Sequence, residues 1–243
     1  MIKKVVIAAA GQGTRMLHLT VNKSKHLINV QNKPFLGYLL DNLLEAGYSE
    51  LILVVGYKEK MMREFLQTYR YEATVVNQYE ILGEQEYGTA CPVKCIKDIV
   101  QNEHFLYVCG DNLYSVADLK AMNTNTYHYV AGFYHHTPEK YGVLVTDNGS
   151  LKEIIEKPKR YVGNLINTGL YTFGPEIFEK LPHIKKSVRG EYEITDAVTL
   201  LAKEGKVKVK KITEYWIDFG NPGDIIKFSK FLKSAQISVK TKS

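Results

Sequence analysis

Apolar residues in the first half of the chain fall into short unbroken runs, each closed by a turn residue. Val5-Val6-Ile7-Ala8-Ala9-Ala10 runs into Gly11, Leu51-Ile52-Leu53-Val54-Val55 into Gly56, and Phe105-Leu106-Tyr107-Val108-Cys109 into Gly110. Runs of this kind, without polar alternation, read as strands buried on both faces. Residues 73–76 read as a further, shorter strand. Between the runs, residues 35–46 carry Leu39, Leu40, Leu43 and Leu44 at helical spacing and stop at Gly47. Residues 59–69 and 89–99 read as two more helices. The alternation predicts right-handed βαβ crossovers and an α/β fold, a Rossmann-like, mostly parallel sheet with helices on both faces.

The second half changes character. Residues 127–134, 142–146 and 165–173 read as strands, with Asp147-Asn148-Gly149 a hairpin turn. Residues 175–181 and 193–204 read as helices. Lys206-Val207-Lys208-Val209-Lys210-Lys211 alternates as a half-exposed strand does, with lysines that discourage edge pairing. No linker, repeat or low-complexity segment divides the chain. The expectation is one domain, with a nucleotide-binding half over about 1–115 and a mixed, ligand-binding half over about 116–230. A tail follows over about 231–243, its last residues frayed.

Composition narrows the classes. The 243 residues suffice for one sizeable core, and 45% hydrophobic with 24% charged residues is ordinary for a globular protein. No stretch approaches a membrane span, and the first apolar run is too short for a signal peptide. Cys91, Cys95 and Cys109 show no metal-ligand spacing and read as small buried hydrophobes in a reducing, cytoplasmic setting. The net charge of +6 is spread along the chain. It suits small anionic substrates and gives no reason to expect nucleic acid or a membrane as partner.

The candidate chemistry begins at the first strand end. Gly11-Gln12-Gly13 is a tight loop whose backbone N–H groups can approach an anion. Arg15 and Lys25 add two positive charges, so the loop reads as a phosphate site. It is neither a dinucleotide fingerprint, since Met16 stands at the third glycine, nor a P-loop, since no Gly-Lys-Ser/Thr follows. Asp111 ends another buried strand. A carboxylate there, beside a phosphate loop, is placed to hold Mg²⁺, which takes few protein carboxylates and fills its shell with phosphate oxygens and water. Both features lie where open α/β sheets bind ligands, at the carboxyl ends of parallel strands. None of the seven histidines joins a catalytic pattern, and the adjacent His135-His136 read as structural.

Ala9-Ala10-Gly11-Gln12-Gly13-Thr14-Arg15-Met16, followed by Ser24-Lys25-His26-Leu27 and Asn32-Lys33-Pro34, resembles the sugar-1-phosphate nucleotidylyltransferases. The likeness is nearest to the glucose-1-phosphate thymidylyl and uridylyl members. It continues through Gly83–Ala90 in residues 83–90, Gly110-Asp111, Tyr141-Gly142-Val143, Glu156-Lys157-Pro158, Asn167-Thr168-Gly169-Leu170-Tyr171, Glu191-Tyr192-Glu193-Ile194-Thr195-Asp196 and Trp216-Ile217-Asp218, all in the family's order. The family's usual proline two residues after Met16 is here His18, a change that bears on the loop's shape and leaves its charge intact.

The resemblance implies roles. Arg15, Lys25 and Lys157 would be the catalytic cations. Ala10, Gly11, Gly13, Thr14, Gln78, Gly88 and Thr89 would bind the nucleotide, with Gln78 pairing to the base edge through its amide and Thr89 also suited to start a helix as its cap. Gly142, Glu156, Asn167, Gly169 and Glu193 would bind the sugar. Asp111 and Asp218 would hold Mg²⁺, while Asp224 and Asp196 would serve helix starts. Gly88-Thr89 leans toward the uridylyl members. The expected reaction joins a nucleoside triphosphate, UTP or dTTP first, to a hexose 1-phosphate, glucose 1-phosphate first. Two alternatives stay open: a transferase acting on phosphocholine or on another sugar phosphate with a different base, and a non-catalytic nucleotide-sugar-binding regulator. Relatives with a C-terminal β-helix acyltransferase exist, and 243 residues leave no room for one, so a single activity is expected. A homo-oligomer stays open.

Overall fold

The computed structural model describes residues 1–11 and 13–240, without the side chains of 14, 17 and 235–240. The strands are β1 (Lys4–Ala9), β2 (Asn29–Val30), β3 (Lys33–Pro34), β4 (Glu50–Val55), β5 (Thr74–Asn77), β6 (Phe105–Cys109), β7 (Asn112–Tyr114), β8 (His128–Tyr134), β9 (Gly142–Asp147), β10 (Ser150–Glu156), β11 (Leu165–Phe173), β12 (Val207–Lys211) and β13 (Trp216–Asp218). Nine of them form one sheet in the order β5-β4-β1-β6-β11-β8-β12-β10-β9.

The first four strands of that order run parallel. Val6 lies opposite Ile52 on one side and Tyr107 on the other. Alternate residues of β1 leave for opposite faces. Val5, Ile7 and Ala9 join Leu51, Leu53 and Val55 under the helix Phe35–Glu45. Val6 joins Ile52, Val54, Phe105 and Tyr107 in a second core. Both faces are covered from Val5 to Ala9, so only Lys4, at the start of the strand, is polar. Each fully buried Val, Ile or Leu contributes about 1.5–3 kcal/mol, and slipping the register by one residue would exchange the two sets.

The carboxyl ends of these strands deliver Ala10-Gly11, Gly56, Gln78 and Asp111 to one edge of the sheet. β11 then runs antiparallel to β6, pairing Leu170 with Val108, so the start of β11 reaches the same edge. Its ladder with β8 is interrupted between Asn167 and Tyr171. Beyond it, β9 and β10 form a hairpin on Asn148 and Gly149, both at positive φ (48° and 76°), the pattern of a type I′ turn.

Several elements differ from the pattern's expectation. The helix expected over 89–99 is two short ones, Cys91–Lys94 and Lys97–Val100. They part at Cys95-Ile96, where Ile96 leaves helical backbone (φ −115°) and buries its side chain completely. Residues 175–181 form only the turn Ile177–Lys180 before Leu181–His183 tightens to a 3₁₀ turn around Pro182. β10 carries Lys152 and Glu153 at a bulge, which hides its alternation. β12 is no edge strand, for it lies between β8 and β10. Its lysines cover tyrosine rings instead, Lys208 over Tyr127, Lys210 over Tyr129 and Lys211 over Tyr134, at 4.9–5.4 Å from the ring centres. Cys91 and Cys95 are buried, and burial pushes their thiols up to about 11 and about 12.

The chain finishes on the helix Pro222–Lys240, which returns to the N-terminal half. Phe228 packs edge-on to Phe35, and Phe219 stacks on Phe35 at 4.3 Å. This return carries the segment before the helix, including β13, back to the sheet edge. The end of the chain, residues 241–243, lies outside the described residues.

Candidate active site

Gly13 has the left-handed backbone (φ 71°, ψ 27°) that precedes the 3₁₀ helix Thr14–Thr20. A β-carbon there would stand 3.2 Å from Lys25 Cβ, and one on Gly11 would stand 3.9 Å from Lys25 Cε. The loop therefore lies directly on the Lys25 side chain. Thr20 Oγ1 donates to the Gly13 carbonyl at 3.0 Å and fixes the turn. Gln12 and the Thr14 side chain lie outside the described residues.

Lys25 forms an ion pair with Asp111, and both side chains are mostly buried, 11% and 17% exposed. Burial works to raise the Asp111 carboxyl. The Lys25 ammonium, with Arg15 adding, outweighs it and holds the group below the ordinary aspartate value. His26, beside Lys25, is 1% exposed, with Nδ1 2.9 Å from Ser24 Oγ. Burial and the Lys25 charge push its imidazole down to about 3.

Asp218 arrives from the other end of the chain. β13 pairs antiparallel with β7, setting Asp218 opposite Asn112, and Phe219 N–H donates to the Asp111 carbonyl at 2.8 Å. Trp216 Nε1 donates to Asn112 Oδ1 at 2.7 Å and locks the pairing. Burial and the charges of Asp111 and Asp224 push the Asp218 carboxyl up to about 6, against the pull of Arg15 and Lys25. A β-carbon on Gly220 would stand 3.2 Å from Asp218 Oδ1 and 3.8 Å from Arg15 Nη1, so carboxylate and guanidinium converge there. Asp224 acts locally, accepting from the Gly220 and Asn221 backbone N–H groups at 3.0 Å each, at the start of the last helix.

The donor set suits a magnesium ion: the β7–β13 pairing brings Asp218 beside Asp111, and carboxylate oxygens are the hard donors that Mg²⁺ takes. Among the described residues no cluster of three or more His, Cys, Asp or Glu side chains has a metal-ligand arrangement. Mg²⁺ takes few protein carboxylates, its remaining ligands coming from phosphate and water.

The segment expected to read the base is pinned to a distant one. Gly88 has φ 128°, and a β-carbon there would stand 2.3 Å from the Tyr192 carbonyl oxygen and 2.4 Å from its nitrogen. Tyr192 N–H donates to the Tyr87 carbonyl and Ala90 N–H to the Tyr192 carbonyl, at 2.8 and 2.9 Å. Thr89 does not cap its own helix, whose N-cap is Ala90. Its hydroxyl accepts from Ile194 N–H at 2.9 Å, at the start of the helix Ile194–Lys203. Gln78 is 1% exposed and donates through Nε2 to the Glu86 carbonyl at 3.1 Å, while its Oε1 has no partner.

In the second half, Gly142 and Glu156 face each other across β9 and β10. A β-carbon on Gly142 would meet Glu156 Oε1 at 2.9 Å, so the bare backbone makes room for the carboxylate. Lys157 follows with a left-handed backbone (φ 43°), its N–H donating to the Tyr141 carbonyl at 3.0 Å. Asn167 Oδ1 accepts from Gly169 N–H at 3.1 Å, and Gly169 lies against Cys109. Asp196 is exposed in the first turn of its helix.

These groups surround a cleft of about 400 Å³, within the usual range for small-molecule sites. Of the expected residues, Ala10, Gly11, Arg15, Lys25, Gln78, Gly88, Thr89, Asp111, Lys157 and Glu193 line it. Gly13, Gly142, Glu156, Asn167, Gly169 and Asp218 are not among its lining residues. Sequence reasoning missed Arg189. It lines the cleft from a turn closed by Gly190 N–H on the Ser187 carbonyl, and it pairs with Glu193 at 2.7 Å and Glu191 at 3.8 Å. The available signal was an arginine two residues before the Glu191-Tyr192-Glu193 segment.

The chain is similar to known proteins along most of its length. The family model described as "Nucleotidyl transferase" matches residues 4–235. The chain is 33% identical over 229 residues to the UTP–glucose-1-phosphate uridylyltransferase AglF of Haloferax volcanii, covering 91% of this chain and 93% of that one. It is 33% identical over 233 residues to a bifunctional sugar-1-phosphate nucleotidylyltransferase/acetyltransferase of Sulfurisphaera tokodaii, covering 94% of this chain and 55% of that protein. It thus spans about half the length of such bifunctional relatives. A crystal structure of UDP-glucose pyrophosphorylase complexed with UDP-glucose superposes with a TM-score of 0.85 at 25% identity, covering 97% of this chain and all of that one. The chain belongs to the nucleotidyl transferase family.

Proposed function

We propose that the protein is a sugar-1-phosphate nucleotidylyltransferase, joining a nucleoside triphosphate to a hexose 1-phosphate and releasing pyrophosphate. The observation that carries this reading is the convergence of the Gly11 loop, Arg15, Lys25, Asp111, Lys157 and Arg189 on one cleft. A sugar-phosphate oxygen attacks the α-phosphorus in line while pyrophosphate leaves on the opposite side. No covalent enzyme intermediate is needed, so the protein's work is positioning and charge stabilisation. Backbone N–H groups of the Gly11 loop cradle the triphosphate. Arg15 neutralises the leaving pyrophosphate. Lys25 bridges the α-phosphate and the incoming phosphate, and Lys157 and Arg189 hold the sugar phosphate. Asp111 and Asp218 would hold Mg²⁺, which when bound offsets charge on the phosphate oxygens. Glu156, Asn167 and Glu193 accept hydrogen bonds from sugar hydroxyls.

The base site favours a base with a ring N–H. The partnerless Gln78 Oε1 calls for a donor, and Nε2 is already spent on Glu86. The imide N–H of uracil or thymine is such a donor, as is guanine N1–H, whereas cytosine and adenine present an acceptor there. UTP or dTTP with glucose 1-phosphate, which the motif resemblance also favours, is the first pair to try. The test is pyrophosphate release with Mg²⁺ across a grid of nucleotides (UTP, dTTP, CTP, GTP, ATP) and acceptors (glucose, N-acetylglucosamine, galactose and mannose 1-phosphates, and phosphocholine). Release with a uracil or thymine nucleotide and one sugar phosphate is expected. Release only with phosphocholine would overturn the sugar assignment, and none with any acceptor would overturn the enzyme assignment.

A further inference from the structure

A second cavity of about 370 Å³ lies on the far side of Lys157 and shares no lining residue with the catalytic cleft. One wall is the loop 158–164, with Pro158, Lys159, Arg160, Tyr161 and Gly163. The other is the turn from β8 to β9, with His135, His136, Pro138 and Glu139. The two are tied together by His135 N–H donating to the Asn164 carbonyl at 2.9 Å, and a proline in each wall limits their movement.

The lining is cationic and unspent. Lys159, Arg160 and two histidines face one carboxylate, Glu139. In the catalytic cleft Lys25 is paired with Asp111 and Arg189 with Glu193. Lys159 and Arg160 enter no hydrogen bond or ion pair among the described residues. His135 Nδ1 accepts from Thr137 N–H at 3.1 Å, so the neutral ring keeps its proton on Nε2 and remains a donor without needing to be charged. Tyr161, 79% exposed, leaves an aromatic face at the rim.

We propose that this cavity is a second, non-catalytic site for a phosphate-bearing small molecule, held by Lys159, Arg160 and the histidine N–H donors with Tyr161 at its edge. Two connections reach the catalytic side. Lys157 is the residue before Pro158 and has a left-handed backbone, a strained conformation there, so the loop's position sets the position of Lys157. His135 also packs edge-on to Tyr141 and Trp216, the latter two residues before Asp218. An occupied cavity would thus act on the sugar-phosphate side of the reaction. That coupling rests on the role proposed for Lys157, whereas the site itself does not.

Titrating the full chain with inorganic phosphate while following backbone amides by NMR tests both parts, because the two cavities report through different residues. Saturable shifts are expected in residues 135–139 and 158–164, separate from those at Gly11, with Lys157 moving along the loop's binding curve. Lys159→Ala/Arg160→Ala should weaken the loop curve by about tenfold or more and leave the Gly11 curve and the melting temperature unchanged, since both side chains are exposed. A loop that stays still while Gly11 responds, or an unchanged loop curve in the double variant, would overturn the site. A loop that responds without Lys157 would overturn the coupling alone. A dark substrate grid beside a responding loop would overturn the catalytic reading and spare the site.

Discussion

The two halves of the molecule build their share of the cleft by different means. In the first half, proximity is a consequence of one parallel sheet: Gly11, Gln78 and Asp111 each follow a strand, and the strands end on one edge. In the second half, proximity comes from segments that cross the molecule. Asp218 reaches Asp111 through the β7–β13 pairing, Thr89 meets Ile194, Gly88 meets Tyr192, and Arg189 enters on a turn. The first arrangement makes charge pairs that are satisfied, as Lys25–Asp111 is. The second leaves Asp218 raised to about 6 by burial and by the charges of Asp111 and Asp224.

The sharpest break of this comparison is at its shared centre. Lys25→Ala and Asp111→Asn should each lower kcat by about 10²–10³, the usual cost of removing an electrostatic stabiliser. Steady-state pyrophosphate release reads this, and turnover within a few-fold of wild type would refute the proposed chemistry. Next comes the seam. Gly88→Ala presses a methyl group on the backbone of Tyr192, which has no room to give. We expect a loss of about 2 kcal/mol or more, read by urea unfolding, together with weaker nucleotide binding. An unchanged midpoint would mean that the halves do not meet there.

Legibility in the sequence followed the same divide. The parallel half was readable because burial on both faces forces unbroken apolar runs, and because Gly11 and Asp111 lie at the ends of those runs; Arg15 and Lys25 were legible by motif resemblance. Asn148-Gly149 was readable because a two-residue hairpin demands positive φ. The motif order pointed to Lys157, Glu193 and Asp218 by resemblance. Pairings between remote segments left no periodic trace. Nothing local shows that Thr89 caps a helix a hundred residues away, or that Gly88 is bare for Tyr192. Arg189 was hidden because its turn is set by backbone hydrogen bonds and Gly190, and β10 because a bulge shifts its alternation.

A smaller test compares one buried histidine from each half. His26 and His128 are pushed down to about 3 and about 4, mainly by burial. Both fall below the unfolded value of about 6.5, so the unfolded chain binds more protons across that window. Their contribution is complete above pH 6.5 and is lost as pH falls toward the folded values. Between pH 7 and pH 5 the cost should be about 1–2 kcal/mol per histidine, measured as the change in urea-unfolding free energy. Replacing either with glutamine should flatten that dependence, and an equal slope in both variants and wild type would contradict the burial account. The smallest effect expected is from Thr89→Val, about 1 kcal/mol for the lost helix cap, with His-dependent acid behaviour unaltered.

The claim that the second half completes a cation site opened by the first is tested most directly at Asp218. Asp218→Asn should abolish most activity yet raise the metal-free melting temperature at pH 7. Its folded value of about 6 lies above the ordinary 3.8, so the ionised form at neutral pH is a cost to folding, discounted for partial exposure to about 1–2 kcal/mol. Thermal melting of wild type and Asp218→Asn, with and without Mg²⁺, measures both effects at once. The prediction is a more stable variant without metal and a Mg²⁺-induced rise confined to wild type. An equal Mg²⁺ response in the two proteins, with no gain in the metal-free variant, would contradict it.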